Sequence, residues 1–155
     1  MTQKFLSVRK FPFGVVTPCS EELPLQPPPL PHGSETILVV EDETLVRDLV
    51  SRMLEKLGYK VLNASNPEEC FQTMAEQSAC ISLVLSDVIM PGMDGKEMAA
   101  RLHEKYPGLK MLFMSGYATS VFAGHGVVME GACLLEKPIC LHNLATKIRQ
   151  ALDAS

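Results

Sequence analysis

The sequence carries no C-x-x-C pair, no apolar run of membrane-spanning length and no surplus of positive charge, and each absence narrows its function. Its five cysteines, Cys19, Cys70, Cys80, Cys133 and Cys140, are odd in number, and none stands at metal-site spacing with a histidine. They are expected as reduced thiols filling or bordering a core, because free cysteine packs as a small hydrophobe. No stretch approaches the roughly 18–20 apolar residues of a membrane helix, so no membrane partner is expected. The N-terminus lacks a signal peptide's apolar core and small-residue cleavage site, which points to the cytoplasm. A formal net charge of −4 argues against nucleic-acid binding through a broad basic surface.

What is present suits a soluble globule. At 155 residues, 46% hydrophobic and 21% charged, the chain has material for one ordinary domain and a tail, not for two domains. Residues 1–34 form the tail. "EELPLQPPPLPHGS" places proline at 24, 27, 28, 29 and 31, which favours an extended linker or a disordered segment over a packed element. Gly33 and Ser34 then release the chain into a domain covering 35–155.

From Glu35 onward, strand-like and helix-like patterns alternate. "TILVV" (36–40) reads as a strand covered on both faces. Leu45, Val46, Leu49, Val50, Met53, Leu54 and Leu57 recur at near-helical spacing, predicting one buried stripe closed by Gly58. "KVLNA" (60–64) predicts a second strand. Asn66-Pro67-Glu68-Glu69 supplies an N-cap, a first-turn proline and a glutamate three after the cap, which opens a helix through Phe71 and Met74. "ISLVLS" (81–86) is the third strand, followed by a helix over Lys96–Tyr106 that Pro107-Gly108 stops. "KMLFMS" (110–115) is the fourth. A helix between Ala118 and Met129, weakened by Gly124 and Gly126, leads to "ACLLE" (132–136), the fifth strand. A last helix puts Leu141, Leu144, Ile148 and Leu152 on one face. This alternation predicts an α/β fold: a doubly wound, five-stranded parallel sheet flanked by five helices, flavodoxin-like in outline.

In such a sheet, chemistry collects beyond the carboxyl ends of the strands. Strand one ends in Glu41 and Asp42, strand three in Asp87, strand four in Ser115 and strand five in Lys137. Taken singly, each is ordinary: acids at strand ends make turns and caps, and a lysine before proline is a solvated loop charge. Jointly they put three acids, a hydroxyl and an amine on one edge. Three carboxylates that close need a cation, and an all-oxygen donor set suits Mg²⁺. Metal, hydroxyl and ammonium together describe a phosphoryl site, with Asp87 as the nucleophile that becomes an aspartyl phosphate.

These residues carry a family resemblance. "VVEDE", "SDVIMPGMDG", "MSGYA" and "LEKPI", in this order and spacing, resemble the receiver domain of two-component response regulators over about Glu35 to Ala154. The resemblance implies that Asp87 is the phosphoacceptor and that Asp42, Asp87 and the Ile89 backbone carbonyl bind Mg²⁺, with Glu41 acting through metal-bound water. It further implies that Ser115 and Lys137 hold the phosphoryl oxygens, that Gly116 leaves them room, and that the Lys137–Pro138 bond is cis. Leu134 departs from the family, which often has an aromatic residue there, so the output is expected to run through the 118–129 helix instead. Bulky Ile89 and Tyr117 are expected to slow hydrolysis of the acyl phosphate.

None of His32, His103, His125 and His142 sits in a phosphodonor context, His103 being expected on the solvated side of its helix. The phosphoryl source is then another protein or domain, a histidine kinase or a phosphotransfer domain, with an unidentified downstream effector. No DNA-binding domain is expected after the last helix. The proline-rich lead-in resembles the junction before the C-terminal receiver of hybrid histidine kinases, so the chain reads as a stand-alone receiver or as a piece of such a kinase. On this reading it is a switch that catalyses its own phosphorylation, not a metabolic enzyme. The competing enzyme reading, a small aspartate-nucleophile phosphatase, needs a second acid close after the nucleophile, where Val88 and Ile89 stand. A flavin binder needs a hydroxyl- and glycine-rich loop where "EDETL" stands.

Overall fold

Period-two alternation along the apolar strands decides which helices cover which face. The structure is a computed structural model that describes residues 27–116 and 133–155. Strands β1 (Thr36–Val40), β2 (Lys60–Ala64), β3 (Ile81–Asp87), β4 (Lys110–Ser115) and β5 (Cys133–Glu136) form one parallel sheet of order β2-β1-β3-β4-β5. The described helices are α1 (Thr44–Lys56), α2 (Pro67–Gln77), α3 (Gly95–Lys105) and α4 (Leu141–Asp153). The helix expected between Ala118 and Met129, together with Tyr117, lies outside the described residues. Among the described residues no helix is long and apolar enough to cross a membrane.

Ile37 and Val39 face one way with Leu83, Leu85, Leu112 and Met114, and bury Val50 and Leu54 of α1 and Leu144 and Ile148 of α4. Leu38 and Val40 face the other way with Val84 and Phe113, under Cys70 and Met74 of α2 and Met98 and Leu102 of α3. Each fully buried side chain of this size contributes about 1.5–3 kcal/mol relative to exposure. The predicted doubly wound α/β architecture is the one observed.

The α1 stripe is narrower than its spacing predicts. Val50, Leu54 and Leu57 are buried, but Leu45 is 79% and Leu49 50% exposed. Successive helical residues turn by about 100°, so the Leu45–Leu49 line lies that far round from the Val46–Val50–Leu54 line and faces away from the sheet. His103 also departs from expectation: it is half-buried, and its Nε2 lies 2.9 Å from the Leu109 carbonyl oxygen.

Helix starts follow their caps. Asn66 Oδ1 accepts the Glu69 N–H at 2.8 Å, satisfying a donor at the open end of α2, while Glu69 Oε2 accepts the Ser65 N–H at 2.8 Å and ties the entering chain to that turn. Asp94 Oδ1 likewise accepts the Glu97 N–H at 2.8 Å and opens α3.

The proline-rich lead-in is seated where it meets the domain. Leu30 packs against the α1–α4 side of the core. The Gly33 N–H donates to the Leu57 carbonyl at 3.1 Å. Arg149 of α4 donates to the His32 carbonyl at 3.4 Å and pairs with Glu35 and Asp153, both at 2.8 Å. A Cβ at Gly33 would overlap the Tyr59 ring and the Glu35 carboxylate, so a larger residue enters this close approach only if those side chains give way.

Candidate functional site

Parallel pairing brings the carboxyl ends of β1, β3, β4 and β5 to one edge. The β1–β3 register sets Val40 against Ser86, so Glu41 and Asp87 emerge side by side. Glu41 is 1% and Asp87 9% exposed, whereas Asp42 is exposed. Oxygens from the carboxylates of Glu41, Asp42 and Asp87 all lie within 4.8 Å of one another. Ser115, at the end of β4, is buried on the same edge. Its carbonyl accepts the Lys137 N–H at 2.8 Å, carrying the β4–β5 pairing one step past Glu136 and so setting where the lysine leaves the sheet. The Lys137–Pro138 bond is cis.

Lys137 bridges the two buried acids. Its Nζ stands 3.0 Å from Glu41 Oε2 and 3.1 Å from Asp87 Oδ2. Glu41 Oε1 accepts the Glu43 N–H at 3.1 Å, and Asp87 Oδ1 accepts the Ile89 N–H at a long 3.4 Å. Burial lifts the Glu41 carboxyl above the usual carboxylate range, more than the hydrogen bonds from Lys137 and the Glu43 amide lower it. Burial works on Lys137 in the opposite sense, pulling its ammonium down. Contact with Glu41 and Asp87 more than offsets this and leaves its pKa above the ordinary lysine value.

The exit from β3 is held as firmly. The Val88 N–H donates to the Met114 carbonyl at 3.0 Å, and the Gly95 N–H to the Val88 carbonyl at 2.8 Å. The Ser86 hydroxyl donates to the Asp87 carbonyl at 2.8 Å. A Cβ at Gly95 would strike that same carbonyl, so the start of α3 closes on the β3 terminus only through glycine. Asp94 serves α3 as its cap and stands apart from the cluster.

The donor set fits a divalent hard cation. All three side chains offer oxygen, and three carboxylates face one ammonium, a charge deficit that a divalent ion matches. Asp42 is the opening: among the described residues its carboxylate has no hydrogen-bond or ion-pair partner.

Of the residues singled out from sequence, Glu41, Asp42, Asp87 and Lys137 come together, and Ser115 ends the strand beside them. The Ile89 side chain is 54% exposed next to the cluster. Leu134 is half-buried, paired in register with Phe113. Sequence reading passed over Arg47, whose Nη1 donates to the Glu41 carbonyl at 2.7 Å. Its only signal is a cation six residues beyond the first acid, on the helix that follows.

Comparison with known proteins agrees with this geometry. The family profile described as "Response regulator receiver domain" matches residues 37–149. Sensor kinase CckA of Brucella abortus is 38% identical over 121 residues, a match that spans 78% of this chain and 13% of the kinase. Response regulator receiver protein CpdR of the same organism is 34% identical over 119 residues, covering 77% of this chain and 98% of CpdR. Among solved structures, the receiver domain from hybrid histidine kinase CckA superposes with a TM-score of 0.64 at 36% identity, covering 76% of this chain and 99% of that one. A receiver domain from Clostridium thermocellum gives a TM-score of 0.68 at 26% identity, with coverages of 77% and 94%.

Proposed function

The chain belongs to the response regulator receiver domain family, and on that premise we propose that it is a phosphoacceptor switch whose acceptor is Asp87. An Asp87 carboxylate oxygen attacks the phosphorus of a phosphohistidine on a histidine kinase or phosphotransfer domain. The new O–P bond forms as the P–N bond breaks, and the bonding pair leaves with the imidazole nitrogen, which takes up a proton from solvent.

The observation that carries this reading is Lys137 bridging Glu41 and Asp87 beside the open carboxylate of Asp42. That arrangement sets a buried nucleophile next to a movable cation and an exposed acidic side chain. Glu41, Asp42 and Asp87 are the side chains to hold Mg²⁺, with the Ile89 carbonyl as a further ligand. The bound ion supplies positive charge to the transferring phosphoryl oxygens. Lys137 is poised to exchange its hold on the Asp87 carboxylate for a hold on the phosphoryl group attached there. Ser115, at the end of the neighbouring strand, is assigned a second phosphoryl oxygen.

A protein partner as donor is supported by the surface around the acids. Leu45 and Leu49 follow the acidic loop on the first turns of α1, and Ile89 follows the acceptor; all three are apolar and at least half exposed. An apolar rim about a charged centre suits docking of a protein surface better than capture of a free metabolite.

Incubation with Mg²⁺ and acetyl phosphate, read by intact mass, tests the proposal. One phosphoryl group is expected on the wild type and none on Asp87→Asn. Phosphorylation that persists in the asparagine variant, or that needs no divalent ion, would count against it.

A further inference from the structure

Glu41 is held at every polar atom it has. Its N–H donates to the Ala64 carbonyl at 3.1 Å. Its carboxylate oxygens take the Glu43 N–H and the Lys137 ammonium. Its carbonyl, the remaining group, takes a charge-assisted bond of 2.7 Å from Arg47 Nη1. That carbonyl belongs to the peptide plane joining Glu41 to Asp42. Fixing the direction of the C=O fixes the plane, and with it where the Asp42 backbone starts. Asp42 is the acid with no partner of its own among the described residues. The peptide plane sets where its Cα–Cβ bond starts, and so the arc that its carboxylate can reach.

We infer that Arg47 is a positioning residue for the divalent-cation site: it orients the Glu41–Asp42 peptide so that the Asp42 carboxylate reaches the face shared by Glu41 and Asp87. The inference rests on the phosphoacceptor reading only in taking that cation to be Mg²⁺.

Arg47 is itself well anchored. Its Nη2 lies 3.3 Å from Thr44 Oγ1 and its N–H donates to the Glu43 carbonyl at 2.9 Å. Its carbonyl accepts the Ser51 hydroxyl at 2.8 Å, and the same hydroxyl lies 2.8 Å from the Asn63 side-chain amide at the sheet edge. The loop is thus tied to both α1 and β2. A guanidinium can grip two acceptors at fixed angles, which a lysine ammonium on a flexible stem does less well.

Two opposed effects give the test its sign. A cation beside three acids repels a metal ion, so through-space charge alone predicts tighter Mg²⁺ binding when Arg47 is removed. Positioning predicts weaker binding. Outer partners of metal ligands typically contribute about 10–100-fold to affinity.

The experiment is calorimetric titration of MgCl₂ into the full chain, comparing wild type with Arg47→Met, which keeps the apolar stem. About tenfold weaker binding is expected in the methionine variant, with Arg47→Lys between the two. Equal or tighter binding in Arg47→Met overturns the inference, as does a wild type that binds no Mg²⁺. If the methionine variant does not fold, Arg47→Gln, whose amide is too short to reach the carbonyl, replaces it with the same expected loss. A second readout needs no metal: the amides of Asp42 and Glu43 should exchange faster in the variant while those of β4 stay unchanged.

Failure here is separable from failure of the proposed function. A wild type whose Mg²⁺ binding weakens in Arg47→Met, yet which takes no phosphoryl group at Asp87, sinks the phosphoacceptor reading alone. A wild type phosphorylated at Asp87, with a methionine variant that binds Mg²⁺ just as tightly, sinks this inference alone.

Discussion

The ammonium of Lys137 lies 3.1 Å from the Asp87 carboxylate, although fifty residues of sequence separate them. The contact makes Lys137 the internal counter-ion of the acidic cluster. Replacing it with methionine leaves two buried carboxylates facing each other without neutralisation. Breaking a fully buried pair in this way costs about 3–5 kcal/mol. Lys137 is a quarter exposed, so solvent screening reduces the expected loss to about 1–2 kcal/mol. Urea unfolding of Lys137→Met in EDTA should show that loss, and millimolar Mg²⁺ should recover much of it by supplying the missing charge. A loss of the same size with and without Mg²⁺ would mean the lysine acts through packing and not through charge.

Glu41 gives a pH dependence with a definite sign. Burial raises its carboxyl above 4.5, its ordinary value, so the folded state binds that proton more tightly than the unfolded chain does. Its contribution to stability is therefore fully present below 4.5, declines as pH climbs towards the raised folded value, and levels off beyond it. Glu41→Gln has no carboxyl to ionise. In EDTA the variant should gain on wild type as pH rises from 4.5, while binding Mg²⁺ more weakly. Thermal melts from pH 4 to pH 8 measure this. A wild type that gains on the variant with rising pH refutes it.

The strands were readable in the sequence because each is a short apolar run bounded by turn residues, and three of the five bounds match the observed ones residue for residue. The acids, the hydroxyl and the lysine were readable because parallel pairing sends every carboxyl end to one edge. Leu45 and Leu49 misled because spacing records which residues share a helix line, not which line meets the sheet. Arg47 left only the trace of a cation six residues past the first acid, since a guanidinium bound to a backbone carbonyl needs no partner side chain that a motif could show. Gly33 looked like a linker glycine for the same reason that it is pinned: a missing Cβ permits both free rotation and close approach, and only the neighbours Tyr59 and Arg149 decide between them.

That close approach makes the lead-in part of the domain's stability. Gly33→Ala has to push aside both the Tyr59 ring and the Glu35 carboxylate, and overpacking of this kind costs about 1–3 kcal/mol. The hydrogen bond from Arg149 holds the neighbouring Glu35 carboxyl down to about 2. A depressed acid stabilises above its unfolded value near 4.5 and loses that contribution as pH falls towards 2. Glu35→Gln should therefore lower stability at pH 7 by no more than about 1 kcal/mol, the pair being partly exposed, and match wild type near pH 2. Denaturant titrations of both variants check this. An unchanged Gly33→Ala would show that the lead-in is not held in this seat.

Ile89 bears on how long a phosphoryl group would stay. Its side chain is 54% exposed two residues past Asp87, and its N–H points to the Asp87 carboxylate. Water attacking an acyl phosphate has to approach in line with the bond that breaks, and the exposed Ile89 side chain, two residues past the acceptor, is expected to crowd that approach. A bulky apolar side chain there excludes and disorders that water without contributing to the protein core. Ile89→Ala should leave stability within about 0.5 kcal/mol of wild type, as exposed substitutions usually do. It should speed loss of the phosphoryl group by roughly threefold, equivalent to about 0.6 kcal/mol in the barrier. Phosphoprotein made with acetyl phosphate, freed of donor and followed by intact mass over time, gives the rate. A variant that loses phosphate no faster than wild type would remove Ile89 from the hydrolysis path and leave it as part of the apolar docking rim with Leu45 and Leu49.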